Sequence, residues 1–188
     1  MNVWSLPNSA KIGGKKYEIN ADFRDVFEIL AYLNDQNKPE YLRWQVALSL
    51  FYEGEIPQEH QREAMEFLAN FISYGSRDEK PGPKLIDWEQ DAQMIISDVN
   101  KIAGADVRSS TFLHWWTFLS YFYGIGEGQL STVVSIRSKK RKGKKLEKWE
   151  EEFYRENVDR VEFKKKYTVE EKAALNRFEK WLKDGDTE

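Results

Sequence analysis

The sequence contains no cysteine and only two histidines, His60 and His114, among its 188 residues. A chain without thiols forms no disulfide framework, no thiolate zinc site and no cysteine nucleophile. Two imidazoles offer little to a metal ion, so we expect neither a metal site nor a cofactor. No apolar run reaches the roughly 18 residues that cross a membrane, and no signal-like leader is present. These absences predict a soluble protein of the cytosol.

The composition provides enough apolar side chain for a packed core. Apolar residues make up 40% of the chain and aromatic residues 14%, which excludes disorder throughout. The net charge of −3 is unevenly divided, since residues 1–136 carry −7 and residues 137–188 carry +4. We therefore predict two parts, an acidic body at 1–136 and a separate charged extension at 137–188 that contacts a partner.

A β-hairpin is predicted near the start of the chain. Gly13 and Gly14 supply the positive φ angles of a tight turn, and the residues on either side, within 11–19, alternate apolar with polar. A single hairpin is marginally stable in water. We expect this one to pack against the residues that follow it.

After residue 20 the apolar residues recur at helical spacing. Predicted helix starts are residues that cap or open helices, namely Asn20 or Asp22, Pro39, Pro57, Asp87, Ser109 or Ser110, and Thr168. The helix from Ser109 or Ser110 is apolar on nearly every side, so we place it at the centre of the core. The predicted fold is mainly α: a compact helical domain with a small N-terminal β-hairpin and a charged, helical C-terminal extension.

The glycine-rich segment at 124–128 is predicted to be a turn between helices. Gln129 stands where a dinucleotide-binding fingerprint has its third glycine, and no Gly-Lys-Ser/Thr follows as in a P-loop. No predicted strand precedes the segment either. We therefore expect no phosphate-binding loop here.

Two groups of residues resemble catalytic sites and are better explained structurally. Asp87, Glu89 and Asp91 cluster in a predicted first helical turn, where negative charge favours the positive end of the helix. This capping role is favoured over acid–base or metal chemistry. His114 lies in the most apolar helix and is predicted to be a hydrogen-bonded buried side chain rather than a general base. We expect no catalytic residues and no enzyme activity.

A strongly basic run follows the predicted core. It has seven positive charges in nine residues: Arg137, Lys139, Lys140, Arg141, Lys142, Lys144 and Lys145. Physical reasoning leaves three interpretations open: contacts with nucleic-acid phosphates, contacts with an acidic protein, or a solvated linker. Leu146, Trp149 and Phe153 then form one apolar stripe among charges, as in an exposed amphipathic helix.

Several segments, in their order along the chain, resemble one family of bacteriophage proteins, often labelled gene product fifteen, from long-tailed phages and prophages. The hairpin at 12–17 fits the usual opening of the family, and the resemblance covers about residues 5–160, without the final helix. The segments are Asp22-Phe23-Arg24, Leu85-Ile86-Asp87-Trp88-Glu89-Gln90-Asp91-Ala92, Leu113-His114-Trp115-Trp116-Thr117-Phe118-Leu119 and Ile136-Arg137-Ser138-Lys139-Lys140.

The resemblance implies a tail assembly chaperone, because members of that family are regarded as such. The expected partners are the tape measure protein and the tail tube protein, with self-association into oligomers also possible. The protein would then act in the cytoplasm of the bacterial host and be absent from the finished virion. The alternatives are a nucleic-acid-binding accessory protein that uses the run at 137–145, or a structural component of the tail.

The stripe and the basic run together lead to a hypothesis about client binding. Trp149 and Phe153 are expected to contact the tape measure protein, while the run from Arg137 to Lys145 steers acidic segments of the client or the tube. The hypothesis rests on the expected exposure of these side chains.

Overall fold

A computed structural model describes residues 4–75 and 83–164, together with five helical residues further along: Glu171, Ala173, Ala174, Asn176 and Arg177. The described residues contain one antiparallel hairpin, formed by β1 (Ser9–Ile12) and β2 (Lys15–Glu18). The prediction of a mainly α chain with a small N-terminal hairpin is confirmed. Thr168 and most of the final predicted helix lie outside the described residues.

Eight α-helices follow the hairpin within residues 19–75 and 83–164. They are α1 (Phe23–Leu33), α2 (Glu40–Phe51), α3 (Gln61–Ile72), α4 (Ala92–Ala103), α5 (Trp115–Tyr123), α6 (Gln129–Arg141), α7 (Lys148–Glu156) and α8 (Val158–Val161). Short 3₁₀ turns at Gln58–His60 and Val107–Ser109 precede α3 and α5. In these residues no helix is long and apolar enough to cross a membrane.

The hairpin turns at its two glycines, as predicted. Gly13 and Gly14 have φ angles of 55° and 81°, which glycine adopts without steric cost. Tyr17 is buried, and Ile19 pairs with Tyr52 just beyond α2. The hairpin thus belongs to the same core as the helices, as expected for a ribbon that is marginal alone.

The aromatic helix α5 lies at the centre of the core. Trp115, Trp116 and Phe118 are almost completely buried. The indole N–H of Trp115 donates to the carbonyl of Ile72 at 3.0 Å, and that of Trp116 to the carbonyl of Phe71 at 2.9 Å. Both carbonyls belong to the last turn of α3, which leaves its C=O groups without partners inside the helix. The tryptophans therefore fill the core and cap a neighbouring helix.

The predicted start of this helix at Ser109 or Ser110 is wrong. Residues 110–113 are not helical, and α5 begins at Trp115 with His114 as its N-cap. The backbone there pairs with the start of α1 instead: Phe23 N–H donates to Leu113 C=O at 2.9 Å, and Trp115 N–H donates to Ala21 C=O at 2.7 Å. These long-range hydrogen bonds outweigh the local helical pattern, because propensity is a weak prior.

The glycine-rich segment is a helix-to-helix turn, as predicted. It ends at Gly128, which is the N-cap of α6. The buried carboxylate of Asp98 on α4 accepts the N–H of Leu130 at 3.2 Å in the first turn of α6. A Cβ added at Gly128 would lie 2.7 Å from Asp98 Oδ2. Glycine is required here because the two groups approach so closely.

Gly128→Ala is expected to lower the free energy of unfolding by about 1–3 kcal/mol, since the new methyl group displaces a buried carboxylate. Urea unfolding followed by circular dichroism measures the change. Gly126→Ala is the matched control, because a Cβ at Gly126 meets nothing within 4 Å. Equal losses for the two variants would contradict the steric explanation.

The boundary predicted between residues 136 and 137 falls inside α6. Ile136 and Arg137 are both buried, and the helix continues to Arg141. After the C-cap Lys142 the chain turns at Gly143, whose φ is 63°; Gly143 N–H donates to Lys140 C=O and Lys144 N–H to Lys139 C=O. This is the Schellman arrangement of a helix C-terminus. The first five residues of the basic run are therefore helix rather than linker.

Candidate partner-binding surface

Arg137, the first cation of the basic run, forms a buried ion pair with Asp91. The guanidinium donates to the two carboxylate oxygens at 2.6 and 2.9 Å. Arg137 is 5% exposed and Asp91 is 0% exposed. The expectation of an exposed Arg137 is wrong, because its guanidinium pairs with the buried carboxylate of Asp91 at the start of α4. Arg137 therefore lies outside any surface that a partner reaches.

The remaining N–H groups of Arg137 bind the backbone at Leu85 and at residues 160–161. They donate to backbone carbonyls of Leu85 at 2.9 Å, Arg160 at 2.7 Å and Val161 at 2.7 Å. With the two bonds to Asp91, these use all five N–H donors of the guanidinium. The ring of Phe163 lies over the guanidinium carbon at 4.1 Å. We call residues 158–164 the C-terminal strap.

Gln90, in the turn that precedes α4, binds the same strap. Its side-chain N–H donates to Glu162 C=O at 2.8 Å, and its side-chain oxygen accepts Lys164 N–H at 3.0 Å. One amide thus satisfies both a donor and an acceptor of an extended backbone. The segments that carry the family resemblance, 85–92 and 136–140, therefore meet in space to position the strap.

Lys139 and Lys140 are also engaged within the protein. Lys139 Nζ lies 2.7 Å from both carboxylate oxygens of Glu150, and this hydrogen bond lowers the pKa of the Glu150 carboxyl. Glu150 is 1% exposed on the inner face of α7. Lys140 pairs with Glu162 and lies over the ring of Tyr154 at 3.6 Å. Both lysines bind α7 and the strap to α6.

The last four cations of the run remain exposed. We call them the cationic tip, and they are Arg141, Lys142, Lys144 and Lys145. Within residues 4–75 and 83–164, none of them forms an ion pair with a carboxylate. Three of them lie beyond the last helical residue of α6, where positive charge is favoured by the helix dipole.

The apolar stripe at 146–153 is divided between the core and the surface. Leu146 and Phe153 pack against the core, so the expectation of an exposed Phe153 is not met in full. Trp149 is 53% exposed and its indole N–H donates to Glu147 at 3.1 Å. Glu147 in turn lies 3.8 Å from Lys139. Trp149 is therefore an outward-facing aromatic side chain close to the end of α6.

A groove of about 410 Å³ runs along the exposed side of α6. Leu85 and Val134 provide its apolar side chains, and Ser135 and Ser138 lie along the helix. Lys142 and Lys144 of the cationic tip line the groove as well. We call this the α6 groove. Leu85 belongs to a segment that carries the family resemblance, but its position beside α6 could not be predicted, because the groove joins residues that are about fifty positions apart.

The three acidic residues at 87–91 have different roles. Asp87 accepts the N–H groups of Glu89 at 3.1 Å and Gln90 at 3.0 Å, as predicted for a cap, although α4 begins later, at Ala92. Glu89 is exposed, and Asp91 is the buried partner of Arg137. In the parts of the chain that the structure describes, no group of three or more acidic or histidine side chains is placed to hold a metal ion.

His114 is a buried, hydrogen-bonded side chain, as predicted. Its Nδ1 accepts the N–H of Trp116 at 3.0 Å, so the proton resides on Nε2, which donates to Pro7 C=O at 3.1 Å. Burial lowers the pKa of His114 below 6.5, and the hydrogen bond to Pro7 opposes the shift. Both ring nitrogens are used, which leaves none for general-base chemistry.

His114 makes stability dependent on pH in the range just below neutral. Its pKa is lower in the folded chain than in the unfolded chain, so the unfolded chain binds a proton first as the pH falls below 6.5. Stability is therefore expected to decrease on acidification from pH 7.5 to the folded-state pKa, and then to level off. Urea unfolding at a series of pH values measures this.

His114→Asn is the control for this pH dependence. Asn is a good N-cap and can accept the Trp116 N–H, but it does not titrate. The slope between pH 7.5 and 5.5 should be smaller in this variant. The lowered pKa of Glu150, whose ordinary value is 4.5, acts at lower pH, so it does not obscure the comparison. An unchanged slope would contradict the assignment to His114.

Comparison with known proteins identifies the family. Residues 4–167 match the family described as Bacteriophage Gp15 protein. No curated protein and no solved structure matches the chain. The matched residues include the hairpin, all eight helices and the strap, so the site described above lies wholly within the match. Since the match covers most of the 188 residues, the chain belongs to the bacteriophage Gp15 protein family.

Proposed function

We propose that this protein is a non-enzymatic tail assembly chaperone that binds the tape measure protein of a phage and assists assembly of the tail tube. The family, with the role that the sequence resemblance implies for it, is the first support. The observation that carries the proposal is the exposed Trp149, which shortly follows the cationic tip along the chain; the four cations of the tip have no acidic partner among the described residues. Exposed aromatic anchors next to charge are typical of protein-binding surfaces.

The proposed client has chemistry that suits this surface. A tape measure protein is a long, amphipathic helix, which exposes an apolar stripe until the tube encloses it. Trp149 offers apolar contact area, and the cationic tip attracts acidic segments of the client. The protein then acts in the host cytoplasm and leaves before the virion is complete. Phe153 packs against the core. Its role in this proposal is therefore to anchor α7, and Trp149 contacts the client.

Co-expression with the tape measure protein tests the proposal. The chain should keep that large protein soluble and co-purify with it. Trp149→Ala is expected to reduce the recovered complex about tenfold, since an exposed aromatic anchor of this kind contributes about 1–2 kcal/mol or more. Tyr41→Ala is the matched control, because Tyr41 is another aromatic side chain at the surface, 67% exposed, on α2.

The outcome that contradicts the proposal is an insoluble tape measure protein in the presence of the chain.

The salt dependence of binding then identifies the alternative function. Binding to nucleic acid through several phosphates weakens steeply as salt increases, whereas apolar binding of a client is strengthened by salts such as sulfate. Retention of nucleic acid on the purified protein, lost on addition of salt, would assign the cationic tip to phosphate contacts.

A further inference from the structure

We infer that the α6 groove binds an acidic amphipathic helix, whose apolar side chains lie against Leu85 and Val134 and whose carboxylates face Lys142 and Lys144. This inference rests on the proposed function and names the chemistry of the client segment. It also separates two parts of the surface, since Trp149 is not among the residues that line the groove.

One wall of the groove is fixed before any partner arrives. The carbonyl of Leu85 accepts from Arg137 at 2.9 Å, and that guanidinium is itself held by buried Asp91. The opposite wall is α6, which is anchored by Ile136 and Val133 in the core. A groove with fixed walls loses little conformational entropy when it binds a helix.

The helical wall permits close approach. Ser135 is exposed and Ser138 is half-buried, and neither hydroxyl forms a hydrogen bond within the residues that the structure describes. Their small side chains let the backbone of a second helix come near α6. An amphipathic helix laid in such a groove contacts it through residues spaced three and four apart.

The charges of the groove select an acidic partner. Lys139 also lines the groove but is occupied by Glu150. Lys142 and Lys144 are exposed at the rim and lack a carboxylate among the described residues. Carboxylates of a partner complement them and set its orientation. Nucleic acid is a poorer fit, because phosphates make no use of the apolar surface of Leu85 and Val134.

Two designed peptides of about 20 residues, long enough to form a helix, test the inference. Both carry leucine on one face, and the other face is glutamate in one peptide and lysine in the other. Fluorescence anisotropy with the full-length protein should show binding of the glutamate peptide. The affinity of the lysine peptide should be lower by about tenfold or more. Equal binding of the two peptides would overturn the selection by charge.

Surface variants then locate the site. Lys142→Glu with Lys144→Glu is expected to weaken binding of the glutamate peptide about tenfold or more, and Ser135→Trp should weaken it by filling the groove. Lys11→Glu with Lys15→Glu is the matched control, with the same change of charge at two exposed cations of the hairpin that neither line the groove nor belong to the cationic tip. Circular dichroism verifies that each variant is folded. Equal effects of the two charge reversals, or no effect of Ser135→Trp, would overturn the assignment.

Other occupants of the groove produce different results. A single-stranded oligonucleotide that binds in place of the peptide and is unaffected by Ser135→Trp would indicate nucleic acid. Self-association in sedimentation velocity that is lost in Lys142→Glu with Lys144→Glu, without peptide binding, would indicate a second copy of the chain. Either result overturns the inference. If groove variants still solubilise the tape measure protein while Trp149→Ala does not, the groove assignment fails and the chaperone function stands.

Discussion

Arg137→Met is expected to lower the free energy of unfolding by about 3–5 kcal/mol, because it leaves the carboxylate of Asp91 buried without its counter-charge. The variant also removes the donors to three backbone carbonyls, at Leu85, Arg160 and Val161. Urea unfolding measures the loss. Limited trypsin digestion provides a second measurement, since release of the strap frees the hydrogen-bonded backbone at the exposed residues Arg160 and Lys164 for cleavage.

Two further variants make this expectation specific. Arg141→Met removes an exposed cation four residues further along α6, and should change the stability by less than about 0.5 kcal/mol. Asp91→Leu combined with Arg137→Met removes both charges, and should recover part of the loss, since a buried ion pair is often replaceable by apolar residues. A loss below about 1 kcal/mol for Arg137→Met alone would contradict the described pairing.

Trp115→Ala is expected to cost about 3–5 kcal/mol, which is the usual loss when a buried tryptophan is truncated. Trp115 is 1% exposed, and its ring contacts Phe27 and Phe118 with centroids 5.3 and 5.7 Å away. Its indole N–H also donates to the last carbonyl of α3. The variant therefore leaves a cavity in the centre of the core and removes a helix cap at the same time.

Trp115→Phe separates these two contributions. The ring remains in part while the donor to the Ile72 carbonyl is lost, so we expect a smaller cost of about 1–3 kcal/mol. Trp149→Ala is the control, because that tryptophan faces solvent and should change stability by less than about 0.5 kcal/mol. Circular dichroism is the appropriate probe, since the substitutions alter tryptophan fluorescence directly. Similar losses for Trp115→Ala and Trp149→Ala would contradict the assignment of Trp115 to the core.

Local patterns predicted those elements whose partners are close in sequence. The Gly13-Gly14 turn, the N-cap at Asp22 and the opening of α2 after Pro39 all depend on backbone geometry within a few residues. The turn at 124–128 was recognised because it fails the spacing of a phosphate loop. Each of these predictions needs only the rules of caps and turns.

Predictions failed where a partner lies far along the chain. Ser109 and Ser110 offer plausible caps, but the backbone at 113–115 pairs with residues 21–23 instead. Arg137 is one of the seven cations of the basic run, and nothing nearby in the sequence distinguishes it from Lys142. Only the position of Asp91, 46 residues earlier, selects it for burial. Glu150 is similarly indistinguishable from Glu151 until Lys139 is placed beside it.

The amino-acid sequence alone is enough to predict the class of this protein: mainly α, without thiol chemistry, and a member of one bacteriophage family. Composition and periodicity suffice for the first two, since they depend on residue types and local spacing. Which charges of the basic run stay exposed depends on the tertiary structure. Burial depends on what the fold brings alongside each side chain: Asp91 buries Arg137, whereas Glu150 and Glu162 pair with Lys139 and Lys140 nearer the surface. The cationic tip, Trp149 and the α6 groove were left at the surface.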